Sequence, residues 1–213
     1  MTTSSVDLAS LLCSRLCHDL LSPVGALTNG LELLADERDP EMRQRCFELF
    51  EQSARISTDK LKFFRLAFGA AGGFGGMVPV DEARGLVEAL VRDNEKIRVK
   101  WQLTAPSLPK PAMKTLLNFA LIALDALVRG GDLEIVGELR DDASEIVVRA
   151  TGARIVFDED IGKALDGTLP SEELSSRTAP AEMLRQMAAQ MGGQLQQVFN
   201  DGELILGAVL PAK

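Results

Sequence analysis

The sequence predicts a helical N-terminal segment joined to an α/β segment, and three observations carry this prediction. Two stretches, roughly 4–35 and 41–68, have apolar residues at the 3.6-residue spacing of amphipathic helices. Residues 69–79, GAAGGFGGMVP, hold five glycines and no charge, which is typical of a linker. Beyond them, helical patterns alternate with short β-type runs. We therefore expect an antiparallel helical hairpin over 1–70, a glycine-rich linker over 71–79, and an α/β sandwich with a mixed sheet over 80–213.

The two N-terminal helices are separated by the short polar turn ADERDP. Asp39 and Pro40 are a start signal for the second helix, because Asp favours the N-cap and Pro is tolerated in the first helical turn. Long helices joined by so short a turn pack antiparallel.

The second segment is predicted to alternate helices and strands. We expect helices near 81–93, 110–129 and 179–191, and strands near 97–103, 132–139, 145–150, 193–199 and 203–210. The last two strands meet at Asn200, Asp201 and Gly202, a hairpin-turn signal. The stretch between the third predicted strand, 145–150, and the last helix, 179–191, is expected to be rich in loops. Its acidic run Asp158–Asp160 is expected to be a solvated face.

Composition argues against several classes of partner. The 213-residue chain has a net charge of −8 and a pI near 4.8, so nothing supplies a broad basic face for nucleic acid or an anionic membrane. No apolar run has the length of a membrane span, and the first residues, MTTSSVDLAS, do not resemble a signal peptide. The three cysteines, Cys13, Cys17 and Cys46, do not indicate a disulfide framework, so we expect the reducing cytoplasm.

The only histidine of the chain, His18, lies in the stretch LCHDLLSPVGAL of the first helix. At 100° per residue, His18 points away from the broad apolar stripe of this helix. The stripe consists of Leu12, Cys13, Leu16, Cys17, Leu20, Val24, Leu27, Leu31 and Leu34. Cys13 and Cys17 are therefore expected to be small core residues, and His18 to be exposed.

The residues around His18 on its own face favour access by another protein. The neighbours at helical spacing are small, apolar or basic: Leu11, Ser14, Arg15, Leu21, Ser22 and Gly25. Small residues leave the imidazole uncovered, while the two leucines offer apolar contact beside it. We expect this face to bind a partner protein.

Two other chemistries fit His18 poorly. Cys13 and Cys17 share the stripe while His18 projects elsewhere, so the three do not converge on one metal ion, and we expect no metal site. A Ser–His–Asp hydrolase is also disfavoured, because no nucleophile elbow or oxyanion hole accompanies Ser14, Asp19 and Ser22.

A phosphoryl acceptor fits His18 better. Neutral imidazole is nucleophilic near pH 7, and in-line attack on phosphorus needs little covalent machinery. Asp19 is a candidate to fix the ring tautomer by accepting a hydrogen bond, and Ser22 to hydrogen-bond the phosphoryl group. Antiparallel pairing is expected to bring residues near 57 level with His18, which makes Arg55 and Lys60 candidates to steer an acidic partner.

The stretch CHDLLSPVGAL resembles the H-box of sensor histidine kinases, in which His is followed by an acidic residue and, five positions on, by Pro. The hairpin is similar to their dimerisation and histidine-phosphotransfer domain. The remainder resembles their ATP-binding domain, of the Bergerat or GHKL type, with MLRQMAAQMGGQLQQ (183–197) matching its closing helix and GG turn.

The residues that would bind ATP in those kinases are replaced. Asp125 stands in the place of the magnesium-binding Asn. In the stretch ATGAR, Ala150 replaces the adenine-binding Asp and Arg154 the second glycine. The segment SSRTAPAEM has no glycine where the lid motif would be. Because a phosphate cradle needs close backbone approach, we expect no ATP binding and no autokinase activity.

A phosphotransfer hairpin with a degenerate kinase-like domain resembles the ChpT-type histidine phosphotransferases of bacterial phosphorelays. This resemblance implies reversible phosphate transfer from the receiver domain of a CckA-like hybrid kinase to CtrA-like and CpdR-like response regulators. It also implies a homodimer joined through a four-helix bundle, with Mg²⁺ held by the receivers and no cofactor in this chain. Two alternatives remain open: a receiver-binding scaffold without phosphotransfer, and an active histidine kinase.

Overall fold

The computed structural model describes residues 3–69, 76–140 and 142–211. The helices are α1 (Ser5–Asp36), α2 (Pro40–Ala67), α3 (Val80–Val91), α4 (Lys110–Ala126), α5 (Glu159–Asp166) and α6 (Ala179–Met191), with one 3₁₀ turn at Ser171–Glu173. The strands are β1 (Met77–Pro79), β2 (Ile97–Leu103), β3 (Ser107–Pro109), β4 (Gly131–Leu139), β5 (Ala143–Thr151), β6 (Gln194–Asn200) and β7 (Glu203–Pro211). The predicted helical hairpin followed by an α/β unit is confirmed.

A polar side chain caps the N-terminus of each helix of the hairpin. The Ser4 side chain accepts a hydrogen bond from the backbone N–H of Asp7 at the start of α1. Asp39 accepts from the N–H of Glu41 at the start of α2, where Pro40 occupies the first turn. These contacts satisfy backbone donors that a helix start leaves without intrahelical partners. The predicted start signal for α2 is confirmed.

The main sheet has five strands in the order β2-β4-β5-β7-β6, and only the β2–β4 pair is parallel. The β6–β7 hairpin turns at Gly202, whose φ of 80° favours glycine. The predicted mixed sheet and its terminal hairpin are therefore confirmed. Helix α4 packs against β4, β5 and β7, and α6 against β6 and β7.

Two short strands and one helix were not predicted. β1 pairs antiparallel with β3, so Met77–Pro79, which we placed in the linker, belong to a small sheet. Residues 71–75 of that linker lie outside the described residues. Both strands are three residues long, which is too short to show an alternating pattern.

The stretch predicted to be rich in loops contains the helix α5, and its acidic run lies at the start of that helix. The side chain of Glu159 is exposed and that of Asp160 is half-exposed, in agreement with a solvated face, while Asp158 is turned partly inward. The Asp158 side chain accepts from the N–H of Asp160 as the N-cap, and Glu159 and Asp160 lie in the first turn. Carboxylates at this end of a helix are stabilised by the unpaired N–H groups and the helix dipole. Gly167 ends α5 with a φ of 74°.

The hairpin and the α/β unit share one hydrophobic core. Phe63, Phe64 and Ala67 of α2 are buried in the same cluster as the buried face of α4. Asn118 of α4 is fully buried, and its Nδ2 donates to the carbonyl oxygen of Ala67 at 3.1 Å. This carbonyl ends α2 and has no intrahelical donor, so the contact ties the two units together. Helix α1 then lies against α2 and α6.

Only one edge of the α1 stripe is covered within the protomer. Leu12, Leu16, Leu27 and Leu34 are half-buried, while Val24 and Leu31 are exposed. Cys13 and Cys17 are also exposed, so their prediction as core residues is wrong for the single chain, whereas Cys46 is buried. Helix α2 packs beside the stripe and cannot cover its full width.

Candidate functional site

The imidazole of His18 is the most accessible part of the site, with its side chain 81% exposed. Its Nδ1 lies 3.0 Å from Oδ1 of Asp19. A carboxylate oxygen only accepts, so this contact holds a proton on Nδ1. In the neutral ring the lone pair available for attack then belongs to Nε2.

Asp19 is turned towards the protein, with its side chain 14% exposed. Its second oxygen, Oδ2, accepts from Nε of Arg15 at 2.7 Å. Burial alone would raise the pKa of this carboxyl group. Hydrogen bonds from His18 and Arg15, together with the charges of Arg15 and Lys60, outweigh burial and lower the pKa. Asp19 is therefore held as a carboxylate beside His18.

The side chain of Arg15, which the sequence suggested for contact with a partner, is turned into the protein. Its side chain is 12% exposed, and Nη2 donates to Oδ2 of Asp125 on α4 at 2.9 Å. Burial would lower the pKa of the guanidinium, but Asp125 and Asp19 outweigh it and raise the pKa. The guanidinium is turned inward because the carboxylates of Asp19 and Asp125 attract it from that side.

Lys60 also faces inward, because Pro23 leaves a carbonyl without a donor. Pro23 has no N–H, so the carbonyl of Asp19, four residues before it, lacks its intrahelical hydrogen bond. Nζ of Lys60 donates to this oxygen at 2.9 Å, and α1 continues through buried Pro23. Lys60 thus supports the helix beneath His18, whereas the sequence suggested that it steers a partner.

Arg55 lies away from His18. Its Nη2 lies 3.0 Å from Oδ2 of Asp93. The Lys60–Asp19 contact brings residues near 61 level with His18, one turn further along α2 than expected. Arg55 is therefore about 9 Å further along the helix axis.

The other predicted residues surround the imidazole on α1. Leu21, Ser14 and Ser22 are exposed, and Leu11 and Gly25 are half-buried. Oγ of Ser14 donates to the carbonyl of Ser10 within the helix at 3.1 Å. A Cβ on Gly25 would meet no atom within 4 Å, so space is open beside this face.

The α/β unit adds two residues that sequence reasoning missed. Ser176 and Arg177, which precede α6, line a cavity of about 460 Å³ together with His18, Asp19, Arg15 and Asp125. Ser175 and Thr178 hydrogen-bond to each other around this turn, and Nε of Arg177 lies 3.3 Å from Oδ2 of Asp158. A polar turn at a helix start was the available signal, but its nearness to His18 depends on the tertiary fold.

Within residues 3–69, 76–140 and 142–211, no group of three or more His, Cys, Asp or Glu side chains is arranged to hold a metal ion. None of the helices in the same described ranges is both long enough and apolar enough to cross a membrane.

Known proteins resemble this chain in both sequence and structure. A family model described as the C-terminal domain of histidine phosphotransferases matches residues 80–203. The protein phosphotransferase ChpT of Brucella abortus (strain 2308) is 36% identical over 178 residues, which cover 84% of this chain and 83% of the relative.

Solved structures extend the likeness to the whole fold. A bacterial phosphotransferase matches with a TM-score of 0.84 and 31% identity, covering 98% of both chains. The histidine kinase ThkA, in complex with the response regulator TrrA, matches with a TM-score of 0.52 and 14% identity over 98% of this chain and 63% of that one. This weaker match shows the fold alone. The family model and the extended identity to ChpT together show that the chain belongs to the histidine phosphotransferases.

Proposed function

We propose that the protein moves phosphate reversibly between aspartates of receiver domains through a phosphohistidine at His18. The observation that carries this proposal is the exposed imidazole whose Nδ1 is bound to Asp19. Because Nδ1 is hydrogen-bonded to Asp19, the exposed ring offers only Nε2 as a nucleophile to a partner protein. The similarity to a protein phosphotransferase of Brucella abortus supports the same reaction class.

The transfer follows from the chemistry of the two groups. The Nε2 lone pair of His18 attacks the phosphorus of a receiver's aspartyl phosphate in line. A P–N bond forms as the P–O bond to the aspartate breaks, and the carboxylate leaves with the electron pair. The ring becomes cationic and retains its Nδ1 proton, and the Asp19 carboxylate at 3.0 Å stabilises that charge. The reverse steps deliver the phosphoryl group to a second receiver.

The docking surface in this proposal combines α1 with the turn before α6. Leu11 and Leu21 would supply apolar contact, and Ser22, exposed four residues after His18, would hydrogen-bond the phosphoryl group. Arg177, with an exposed side chain beside the same cavity, supplies positive charge for an acidic receiver site. Following the family resemblance, the proposed partners are a CckA-like hybrid kinase and CtrA-like and CpdR-like regulators, with Mg²⁺ held by the receivers.

We further propose that the reaction proceeds without ATP. At the place of the adenine-binding carboxylate, Ala150 is fully buried and has no polar side chain. Asp125, at the place of the magnesium-binding residue, is engaged with Arg15. These residues do not fit a nucleotide and its metal, which supports phosphate arriving from a protein.

The proposal also includes a homodimer. Val6, Cys13, Cys17, Val24 and Leu31 lie within about 40° of one another around α1 and are exposed. Their spacing of four and seven residues is that of a helix-packing seam. A second copy would cover this stripe and complete a four-helix bundle, because one hairpin cannot bury it.

The test is transfer of label from a purified receiver carrying radioactive aspartyl phosphate. We expect the wild-type protein to become labelled and to pass the label to a second receiver, while His18→Gln acquires none. Label on His18→Gln would refute the site. Receiver binding without label on the wild type would indicate a scaffold. Labelling from γ-labelled ATP with Mg²⁺, in the absence of any receiver, would indicate a kinase.

A further inference from the structure

Four side chains from α1 and α4 form a continuous hydrogen-bonded chain that ends at the imidazole. Asp125 Oδ2 accepts from Arg15 Nη2 at 2.9 Å, and Arg15 Nε donates to Asp19 Oδ2 at 2.7 Å. Asp19 uses its remaining oxygen, Oδ1, for His18 at 3.0 Å. Each oxygen of Asp19 thus has a different partner on α1.

This division of the Asp19 oxygens differs from the usual pairing of the two residue types. Arginine and carboxylate groups frequently pair through two parallel hydrogen bonds, with Nε and one Nη facing both oxygens. Arg15 and Asp19 are four residues apart on one helix, which allows that pairing. Here Asp125 holds Nη2, and Arg15 binds only one oxygen of Asp19.

We propose that Asp125 is a positioning residue that keeps Oδ1 of Asp19 available to His18. Without Asp125, Nη2 of Arg15 is released and turns to Oδ1, so that the guanidinium takes both oxygens of Asp19. His18 then loses the acceptor that keeps its proton on Nδ1, and the proton moves to Nε2 in part of the molecules. Nε2 is no longer nucleophilic in that fraction. The expected effect on the transfer rate rests on the proposed phosphate transfer through His18. The expected change in the position of the ring proton does not depend on it.

The structure offers a matched control for Asp125. Asp93 and Asp125 both belong to the α/β unit, and their side chains are 41% and 47% exposed. Each pairs with an arginine of the hairpin, Asp93 with Arg55 at 3.0 Å and Asp125 with Arg15 at 2.9 Å. Only the Asp125 pair continues to His18. Each variant loses one ion pair between the hairpin and the α/β unit, whereas only Asp125→Ala loses the partner that positions Arg15.

The first measurement is the tautomer of His18, read by long-range ¹H–¹⁵N NMR of the full-length protein above the pH at which the ring is protonated. Because His18 is the only histidine, its ring signals need no further assignment. We expect the Nδ1–H form in the wild type and in Asp93→Ala, and a substantial Nε2–H fraction in Asp125→Ala. An unchanged tautomer in Asp125→Ala, or an equal shift in Asp93→Ala, would overturn the proposal.

The second measurement is the rate of labelling by a phosphorylated receiver. In Asp125→Ala we expect kcat to fall about tenfold, as for other residues that orient a reactive histidine, while KM stays within about twofold. Asp125→Asn retains an acceptor for Nη2 and should lie between the wild type and Asp125→Ala. A rise in KM for the phosphorylated receiver with an unchanged kcat would contradict the positioning role. If the tautomer shifts in Asp125→Ala and the wild-type protein accepts no label, the positioning role is upheld and the proposed transfer is refuted.

Discussion

Nζ of Lys60 lies 2.9 Å from the backbone oxygen of Asp19, and thereby replaces the donor that Pro23 removes from helix α1. The contact crosses from α2 to α1 one residue away from His18. It explains why the helix runs unbroken through a proline, and why a lysine points into the hairpin.

Lys60→Met tests this relationship, since it keeps the aliphatic stem and removes the donor. We expect the free energy of unfolding to fall by about 1–3 kcal/mol, because a half-buried carbonyl is left unsatisfied. In a Pro23→Ala background the new N–H of residue 23 takes the carbonyl, so the cost of Lys60→Met should shrink by about 1 kcal/mol or more. Urea unfolding of the four proteins measures this coupling. Strictly additive effects would contradict the assigned contact, and Lys62→Met on the exposed face is the control.

Gly25→Ala should separate stability from transfer. Alanine is favoured over glycine inside a helix by about 0.5–1 kcal/mol, and the new Cβ meets nothing within 4 Å. We expect Gly25→Ala to raise the free energy of unfolding. We also expect it to weaken receiver binding by about tenfold, because the new methyl group occupies the proposed docking face. Gly85→Ala in α3 has the same open surroundings and should raise stability alone. Equal labelling of the two variants by a phosphorylated receiver would show that the receiver binds to another surface.

Leu31→Glu should prevent dimer formation. Leu31 is 59% exposed and lies on the uncovered stripe of α1, so a carboxylate there would be desolvated at the proposed interface. Leu33, 67% exposed, lies on another side of the helix, and Leu33→Glu is the matched control. Light scattering after gel filtration should give a dimer for the wild type and Leu33→Glu, and a monomer for Leu31→Glu. Monomeric wild type at all concentrations would rule out the bundle.

Glu182 should make stability depend on acid pH. Burial would raise the pKa of this carboxyl group, but hydrogen bonds from Arg185 and Gln186 and the charge of Arg185 lower it. A pKa lowered on folding means that the ionised form stabilises the protein above the unfolded value, near 4.3. Wild type should therefore exceed Glu182→Gln in stability at pH 6–7, by about 1.5–3 kcal/mol. The difference should decline as the pH falls below about 4.3, as read by urea unfolding. A difference that is undiminished at pH 3 would contradict this assignment.

The sequence was sufficient for features that repeat along the chain. Helices α1 and α2 and strand β2 follow from periodicity, which depends only on residues close in sequence. β1 and β3 were missed because they are stabilised by pairing with each other, across a separation of about thirty residues. α5 was missed for a different reason, because its acidic N-terminal residues suit both a solvated loop and a helix cap.

The candidate site divides in the same way. Exposure of His18 and its contact with Asp19 follow from helix geometry and adjacency. The inward turn of Arg15 was not predictable, because it depends on Asp125, which lies 110 residues away in sequence. Lys60 was predictable in principle, since a proline inside a helix leaves one identifiable carbonyl that needs a donor.

The buried contact between Asn118 and the end of α2 has a consequence for motion. Because Phe63, Phe64 and Ala67 belong to the core of the α/β unit, a swing of the hairpin would expose that core to water. The helix that carries the imidazole and the turn that carries Arg177 therefore move as one rigid piece. In the proposed docking, a receiver would bind to a recess whose two walls are already held together, so little ordering entropy would be lost on binding.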